Sequence, residues 1–147
     1  MSVPKLVVHS DIILEYLLHR DKRTPVLRLV MMKFFCYTTV FDAIELFSVA
    51  KTAEERRSIE DVMSAMKILG LNAKNAKRYG DLVPAYRSLS TMQILVAGIC
   101  LESKLSLLTS KWNIFRNVKG LNVIPSSAVS PEATAAEILS RRVKSRR

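Results

Sequence analysis

The fold is decided by the stretch Leu6-Val7-Val8-His9-Ser10-Asp11-Ile12-Ile13-Leu14-Glu15-Tyr16-Leu17-Leu18, which predicts a buried strand that turns directly into a helix. The apolar run ends at His9, and Ser10 or Asp11 is expected to cap the helix by accepting hydrogen bonds from its first free N–H groups. In an open parallel sheet, ligands bind in the crevice beyond the carboxyl ends of the strands. His9 and Asp11 are therefore expected at the mouth of a site.

Short apolar runs alternate with longer helical ones along the rest of the chain. Strands are predicted at residues 105–109 and 121–124, with a strand or extended link at 36–38. Helices are predicted at residues 25–35, 40–50, 53–69, 73–86 and 92–103, with a short helical turn at 112–115. Strands separated by helices favour an α/β fold, a three-layer α/β/α sandwich with a central, mostly parallel sheet.

The composition changes after residue 125, which divides the chain into two predicted parts. Residues 1–125 are expected to form the α/β domain. Residues 126–147 are expected to form a Ser/Ala-rich and then basic tail, partly disordered, with a short helix over about residues 130–142 that has few apolar groups to bury.

The length and charge of the chain indicate one globular domain with an anionic partner. The chain has 147 residues, 49% of them hydrophobic, which is enough for one packed domain. Its net charge of +10 predicts an anionic partner, either a nucleic acid or an acidic protein segment. No apolar run approaches the roughly 18–20 residues that a membrane span needs. His9, Asp11 and Glu15 interrupt the N-terminal apolar run, which therefore lacks the pattern of a signal peptide. We expect a cytoplasmic protein without a membrane partner, in which Cys36 and Cys100 are buried free thiols.

The helix predicted at residues 40–50 combines a strong start signal with an unusual acid. Thr39 and Asp42 have the spacing of a capping box, in which each satisfies a free N–H group of the other. Apolar residues cover most of the circumference of this helix, so it is expected to be deeply buried. Glu45 lies in its middle and therefore needs a polar partner or an opening to water.

Four stretches carry a resemblance to a known family, in this order: 8–17 (VHSDIILEYL), 39–46 (TVFDAIEL), 89–102 (LSTMQILVAGICLE), and 107–111 (LLTSK) with Phe115 and 120–124 (GLNVI). Taken together, residues 6–124 resemble a PIN domain of the VapC toxin type. The resemblance implies a Mg²⁺- or Mn²⁺-dependent ribonuclease with four acidic residues at the carboxyl edge of the sheet, because hard divalent ions take oxygen ligands.

This sequence departs from the family pattern at three of the four acidic positions. His9, Gln93 and Lys111 stand where the resemblance places aspartates, and Glu45 is the acid that survives. The resemblance therefore implies a degenerate site in which no metal is favoured and Lys111 pairs with Glu45. Asp11 and Asp42 are accessory candidates there. Any metal that did bind would use Glu45 and Asp11.

Each of these residues also has a structural interpretation. His9 is expected to be a hydrogen-bonded histidine at a strand end rather than a general base, since no second candidate is spaced to act with it. Glu45 is either a buried structural carboxylate or a remnant of the site. Gln93 is explained by a capping box with Ser90. Lys111 either pairs with Glu45 or lies in a solvated turn.

Three function hypotheses follow. The first, which we favour, is a PIN-fold protein with a degenerate nuclease site that binds RNA or a protein partner. The second is an active Mg²⁺- or Mn²⁺-dependent endoribonuclease that an antitoxin neutralises. The third is a structural or interaction protein that uses the fold as a homodimer scaffold. With 4 glycines and 2 histidines in the chain, the sequence supports no phosphate-binding loop, nucleophilic triad or zinc site.

Overall fold

A computed structural model describes residues 3–144 and contains one five-stranded sheet in that part of the chain. All of its neighbouring strands are parallel and follow the order β3-β2-β1-β4-β5. The strands are β1 (Lys5–Val8), β2 (Phe35–Thr39), β3 (Lys67–Leu69), β4 (Leu107–Thr109) and β5 (Val123–Pro125). Helices flank the sheet, so the predicted α/β class with a parallel central sheet is confirmed.

The helices lie close to their predicted positions. They are α1 (Ser10–Leu17), α2 (Val26–Met31), α3 (Val40–Val49), α4 (Ala53–Ser64), α5 (Ala76–Ala85), α6 (Thr91–Ser103), α7 (Trp112–Phe115) and α8 (Ala135–Ser140). Capping boxes start α3 at Thr39 and α6 at Ser90, as the sequence predicts. Within residues 3–144, no helix is both long enough and apolar enough to cross a membrane.

The central strand β1 has a hydrophobic core on each of its faces. Leu6 and Val8 pack in the core formed with α1, α2, α4 and α8, whereas Val7 packs with α6 and α7 on the other side. A strand that is covered on both faces has a continuous run of apolar residues, because the side chains on both faces are buried. This packing explains why the opening stretch was the clearest strand signal.

Two helices end well before their predicted last residue. The helix predicted over residues 53–69 ends at Ser64, and Lys67–Leu69 form β3, which pairs with β2 through Tyr37 and Lys67. Three residues are too few to show the alternating pattern of a strand. The apolar residues of this stretch also continue the helical spacing of α4, so the sequence predicts one longer helix. The helix predicted over residues 25–35 ends at Met31, because Phe35 already pairs with Lys5 in the sheet.

The segment after β5 packs against the domain. Ile138 on α8 is fully buried in the same core as α1 and α2, so this helix packs on the domain through the few apolar groups it has. The helix begins at Ala135, behind a Thr134 cap, rather than near residue 130. Lys33 Nζ donates hydrogen bonds to the carbonyl oxygens of Ser130 and Pro131. Arg146 and Arg147, which were expected in the basic tail, lie outside the described residues.

The close contact between α5 and α6 requires a glycine. A Cβ added to Gly98 would overlap Cε1 of the buried Tyr79 ring, whereas a Cβ at Gly80 would meet nothing within 4 Å. We expect Gly98→Ala to lower the free energy of unfolding by about 1–3 kcal/mol through overpacking. We expect Gly80→Ala, the matched control in an exposed helix, to raise it by about 0.5–1 kcal/mol. Urea unfolding of the two variants measures both effects, and equal changes would contradict the packing argument.

Candidate functional site

The candidate site lies at the carboxyl edge of the sheet, where three strands end side by side. β1 lies between β2 and β4, so the junctions that follow these strands meet. The first junction carries His9, Ser10 and Asp11, the second leads into α3, and the third carries Thr109, Ser110 and Lys111. Residues that are distant in sequence are therefore adjacent here, as the opening stretch predicts.

Asp42 is the buried carboxylate at the centre of these junctions. Its Oδ1 accepts a hydrogen bond of 2.8 Å from the Ser10 N–H group, and its Oδ2 accepts bonds from the Thr39 hydroxyl (2.7 Å) and N–H group (3.2 Å). The side chain is 1% exposed. Asp42 thus closes its own capping box and also binds the first turn of α1. The prediction that Ser10 or Asp11 caps α1 is wrong, because His9 is the cap position and neither side chain bonds there.

His9 is buried between Asp42 and Phe115. It is 2% exposed, and its ring meets Phe115 edge-on at 5.1 Å between ring centroids. His9 Nδ1 lies 2.8 Å from Asp42 Oδ1, an ion-pair distance at which the N–H direction falls outside hydrogen-bond geometry. Burial lowers the pKa of His9, but the carboxylates of Asp42, Asp11 and Glu45 outweigh burial and raise that pKa above its usual value.

Glu45 is exposed rather than buried. Its Oε1 accepts a hydrogen bond of 2.9 Å from the Ser10 hydroxyl, which is its polar partner. The expectation that α3 is deeply buried is wrong along this side, where Ile44 is 50% and Val49 58% exposed. The apolar circumference of α3 therefore exceeds what its neighbouring helices cover.

Asp11 binds the end of β4. Its Oδ2 accepts hydrogen bonds from the Thr109 hydroxyl (2.9 Å) and from the Ser110 N–H group (2.8 Å) and hydroxyl. Its Oδ1 is buried and makes no hydrogen bond within the described chain. Asp11 therefore ties β4 to α1 and keeps one carboxylate oxygen without a protein partner.

A cavity of about 380 Å³ lies against these residues. Its polar wall is formed by Ser10, Asp11, Glu15, Glu45 and Lys111, and its apolar wall by Leu14, Leu18, Leu46 and Val49. The predicted ion pair of Lys111 with Glu45 is not formed, since no carboxylate of residues 3–144 lies within 4.0 Å of the Lys111 ammonium group.

The structure thus brings most of the predicted site residues together and gives Gln93 a bond of its own. Asp11, Glu45 and Lys111 line one cavity, and Ser10 connects it to Asp42 and His9. The Gln93 side chain accepts from the Ser90 N–H group at 2.9 Å, which is the capping role that the sequence predicts. The importance of Asp42 was missed, because its capping-box spacing accounts for its local bonds and gives no sign of its contacts with β1.

The residues at this edge do not fit a Mg²⁺ or Mn²⁺ ion. Such ions take several oxygen ligands, and residues 3–144 contain no group of three or more His, Cys, Asp or Glu side chains placed to hold a metal. Both Asp42 oxygens are already bound to Ser10 and Thr39. Lys111, a cationic residue, lines the same cavity as Asp11 and Glu45.

Comparison with solved structures decides the type of fold. A VapBC2 complex from Rickettsia felis, bound to a promoter DNA fragment, matches with a TM-score of 0.66, 20% identity, and 81% of this chain and 96% of that chain covered. VapBC-1 from nontypeable Haemophilus influenzae matches with a TM-score of 0.68, 15% identity, and coverages of 84% and 98%. The chain has the PIN-domain fold of VapC toxins.

Other comparisons agree on the fold and add no function. DNA-bound VapBC from Salmonella typhimurium matches this PIN fold with a TM-score of 0.67, 13% identity, and coverages of 84% and 98%. No family profile and no curated protein sequence matches the chain. At these identities the likeness establishes the fold, and the chemistry must be argued from the residues of this chain.

The raised pKa of His9 predicts a dependence of stability on pH. A histidine whose pKa is higher in the folded state stabilises the fold fully below its unfolded value of 6.5 and loses that contribution as the pH rises through the folded value. We expect the free energy of unfolding to be highest below about pH 6.5 and to fall as the pH rises through the raised pKa of His9. Urea unfolding at a series of pH values measures it.

Asp42→Asn removes the charge that contacts His9 and is expected to flatten this pH profile. Asp21→Asn is the matched control, because Asp21 is exposed and lies 3.2 Å from the other histidine, His19. A profile that keeps its slope in Asp42→Asn would show that the His9–Asp42 contact is not its source.

Proposed function

We propose that this PIN-fold, VapC-like protein has a degenerate nuclease site and acts by binding a partner rather than by metal-dependent cleavage. The observation that carries the proposal is the composition of the cavity wall, which Lys111 lines together with Asp11 and Glu45. A cationic side chain reduces the negative potential that would attract a divalent ion. His9 fills the end of β1 with an imidazole whose raised pKa favours its positive form.

An active metal-dependent endoribonuclease, neutralised by an antitoxin, is the second candidate. Asp11 and Glu45 line one cavity, and Asp11 Oδ1 has no hydrogen bond within the described chain. Two carboxylates can begin a metal site, although Mg²⁺ and Mn²⁺ require further oxygen ligands. The two candidates differ in their response to metal, which makes them separable.

The deciding experiment is a nuclease assay with and without Mn²⁺, together with thermal unfolding. We expect the unmodified protein to show no metal-dependent cleavage of RNA and no shift in Tm, because a ligand stabilises only a fold that binds it. The triple variant His9→Asp, Gln93→Asp, Lys111→Asp restores the three missing acids and is expected to gain a Tm increase of several degrees in low-millimolar Mn²⁺.

Glu45→Gln identifies the source of any activity. If the unmodified protein cuts RNA only with Mn²⁺, and Glu45→Gln abolishes this while Glu60→Gln does not, the second candidate is correct and our proposal is wrong. Glu60 is the matched control because it is an exposed glutamate on α4 that does not line the cavity.

An apolar groove beside the site supports a protein partner. A cavity of about 520 Å³ between α1, α3 and α4 is lined by Leu14, Leu18, Leu46 and Val49, which also line the 380 Å³ cavity, so the two form one groove. Leu18 is 59% and Val49 58% exposed. Such exposed apolar surface marks an interaction site.

Charge on the rim of the groove narrows the partner's chemistry. Carboxylates predominate there, at Glu15, Glu45, Glu54 and Glu55, in a protein whose net charge is otherwise strongly positive. We therefore propose an amphipathic helix with an apolar face and basic flanking residues, supplied by an antitoxin-like protein. The exposed Ile44 on α3 supports the further proposal that two copies of the chain form a homodimer.

The groove can be tested with an amphipathic helical peptide that carries Leu on one face and Lys beside it. We expect Leu18→Asn and Val49→Thr each to weaken its binding about tenfold, equivalent to about 1.4 kcal/mol, without a change in Tm. Met32→Gln is the control, since Met32 is 76% exposed and lies outside the groove. Fluorescence anisotropy measures the affinities, and equal losses in all three variants would count against a groove-specific contact.

A further inference from the structure

The net charge of the protein is concentrated in two short stretches of its sequence. Residues 103–131 and 138–147 contain nine basic and no acidic residues, whereas the rest of the chain has 14 basic and 13 acidic residues. Almost the whole excess of +10 therefore comes from these two stretches. A concentrated excess of this kind produces a local positive potential, which an evenly spread one does not.

The fold joins the two stretches at one edge of the sheet. Val143 pairs with Val123 at the start of β5, with a hydrogen bond of 2.7 Å from the Val143 N–H group. Arg116 Nε donates to the Lys144 carbonyl oxygen at 3.1 Å, and Arg142 Nη1 donates to Asn122 Oδ1 at 3.4 Å. The C-terminal cations are thereby held beside those that follow α7.

The surface extends from there to the end of α6. Lys104 lines a small cavity of about 190 Å³ together with Gly120 and Asn122, and Lys119 precedes Gly120 in the turn. We call this surface the basic flank and define it by the five cations in its described part: Lys104, Arg116, Lys119, Arg142 and Lys144. None of them forms an ion pair with a carboxylate of residues 3–144.

Two features of the basic flank are unusual for simple solvated charge. The Arg116 guanidinium group lies 5.5 Å from the centroid of the Trp112 ring, which orders a cation next to an aromatic side chain. Lys104 ends α6 with a φ of 58°, a left-handed conformation that glycine adopts without strain. A lysine there keeps a positive charge at a position where glycine suits the backbone better.

We propose that the basic flank binds the phosphodiester backbone of a nucleic acid. Unpaired cations spread along one edge match the regular negative charge of such a backbone, and the ring of Trp112 offers a surface on which a base can stack. The basic flank shares no residue with the groove or with the cavity at the carboxyl edge. It therefore stands independently of the proposed partner and of any metal chemistry.

The first test is the salt dependence of binding to a labelled single-stranded RNA of mixed sequence. Five cations that each neutralise one phosphate give a slope of about −3.5 in log affinity against log salt, or an affinity loss of about 100-fold between 50 and 200 mM salt. The double variant Arg142→Gln, Lys144→Gln is expected to reduce the slope by about 1.4, since two contacts are lost. Fluorescence anisotropy measures both quantities.

The variant Lys104→Gly tests the charge of the basic flank without destabilising the fold. It removes one cation and relieves the left-handed backbone, so we expect Tm to stay the same or rise while the salt slope falls by about 0.7. The control is the double variant Lys51→Gln, Lys67→Gln, which removes two exposed cations outside the flank. Lys67 lies on β3, at the opposite edge of the sheet from β5. This control is expected to leave the slope unchanged.

Three outcomes would overturn the proposal. The first is an unchanged slope in the flank variants, and the second is an equal loss in the Lys51, Lys67 control. The third is effective competition of polyglutamate with RNA at equal charge concentration, which would assign the surface to an acidic protein.

Single-stranded and duplex DNA of the same sequence distinguish the sources of phosphodiester. Preferential binding of any one of the three supports the proposal and names the source.

Discussion

The carboxyl edge of the sheet depends on one buried carboxylate. Asp42 binds the backbone of Ser10 at the start of α1 and both the backbone and the hydroxyl group of Thr39 at the start of α3, and it contacts His9 at 2.8 Å. A buried charge is tolerated only when its oxygens have polar partners, and these partners come from two strand ends. The relative placement of α1 and α3 is thus fixed by the groups that Asp42 requires.

The hydrogen bonds give the two acids of α3 different roles. The carboxylate next to His9 is Asp42, which is committed to structural hydrogen bonds, whereas Glu45 lies in the open and bonds the Ser10 hydroxyl. Lys111 and Asp11 complete the wall of the same cavity. Charged residues of both signs therefore line one cavity at this edge.

Much of the fold was predictable because its signals are local. The run Leu6-Val7-Val8 predicts a strand covered on both faces, and Thr39 with Asp42 predicts the start of α3. β3 was missed because three residues cannot show a strand period. The site was less predictable, since the contacts of Asp42 with His9 and Ser10 join residues more than thirty positions apart. The exposure of Glu45 depends on which side of α3 its neighbours cover, and no local pattern records that.

The hydrogen bonds of Lys33 help to attach the C-terminal segment to the domain. Its ammonium group binds the carbonyl oxygens that lead into α8, and Ile138 on that helix fills a hollow beside α1 and α2. If a protease cut between β5 and α8 and the helix detached, apolar surface would be exposed and Lys33 would lose its carbonyl acceptors. Shortened forms of the chain that stop after residue 125 are expected to aggregate, even though they would keep every strand of the sheet.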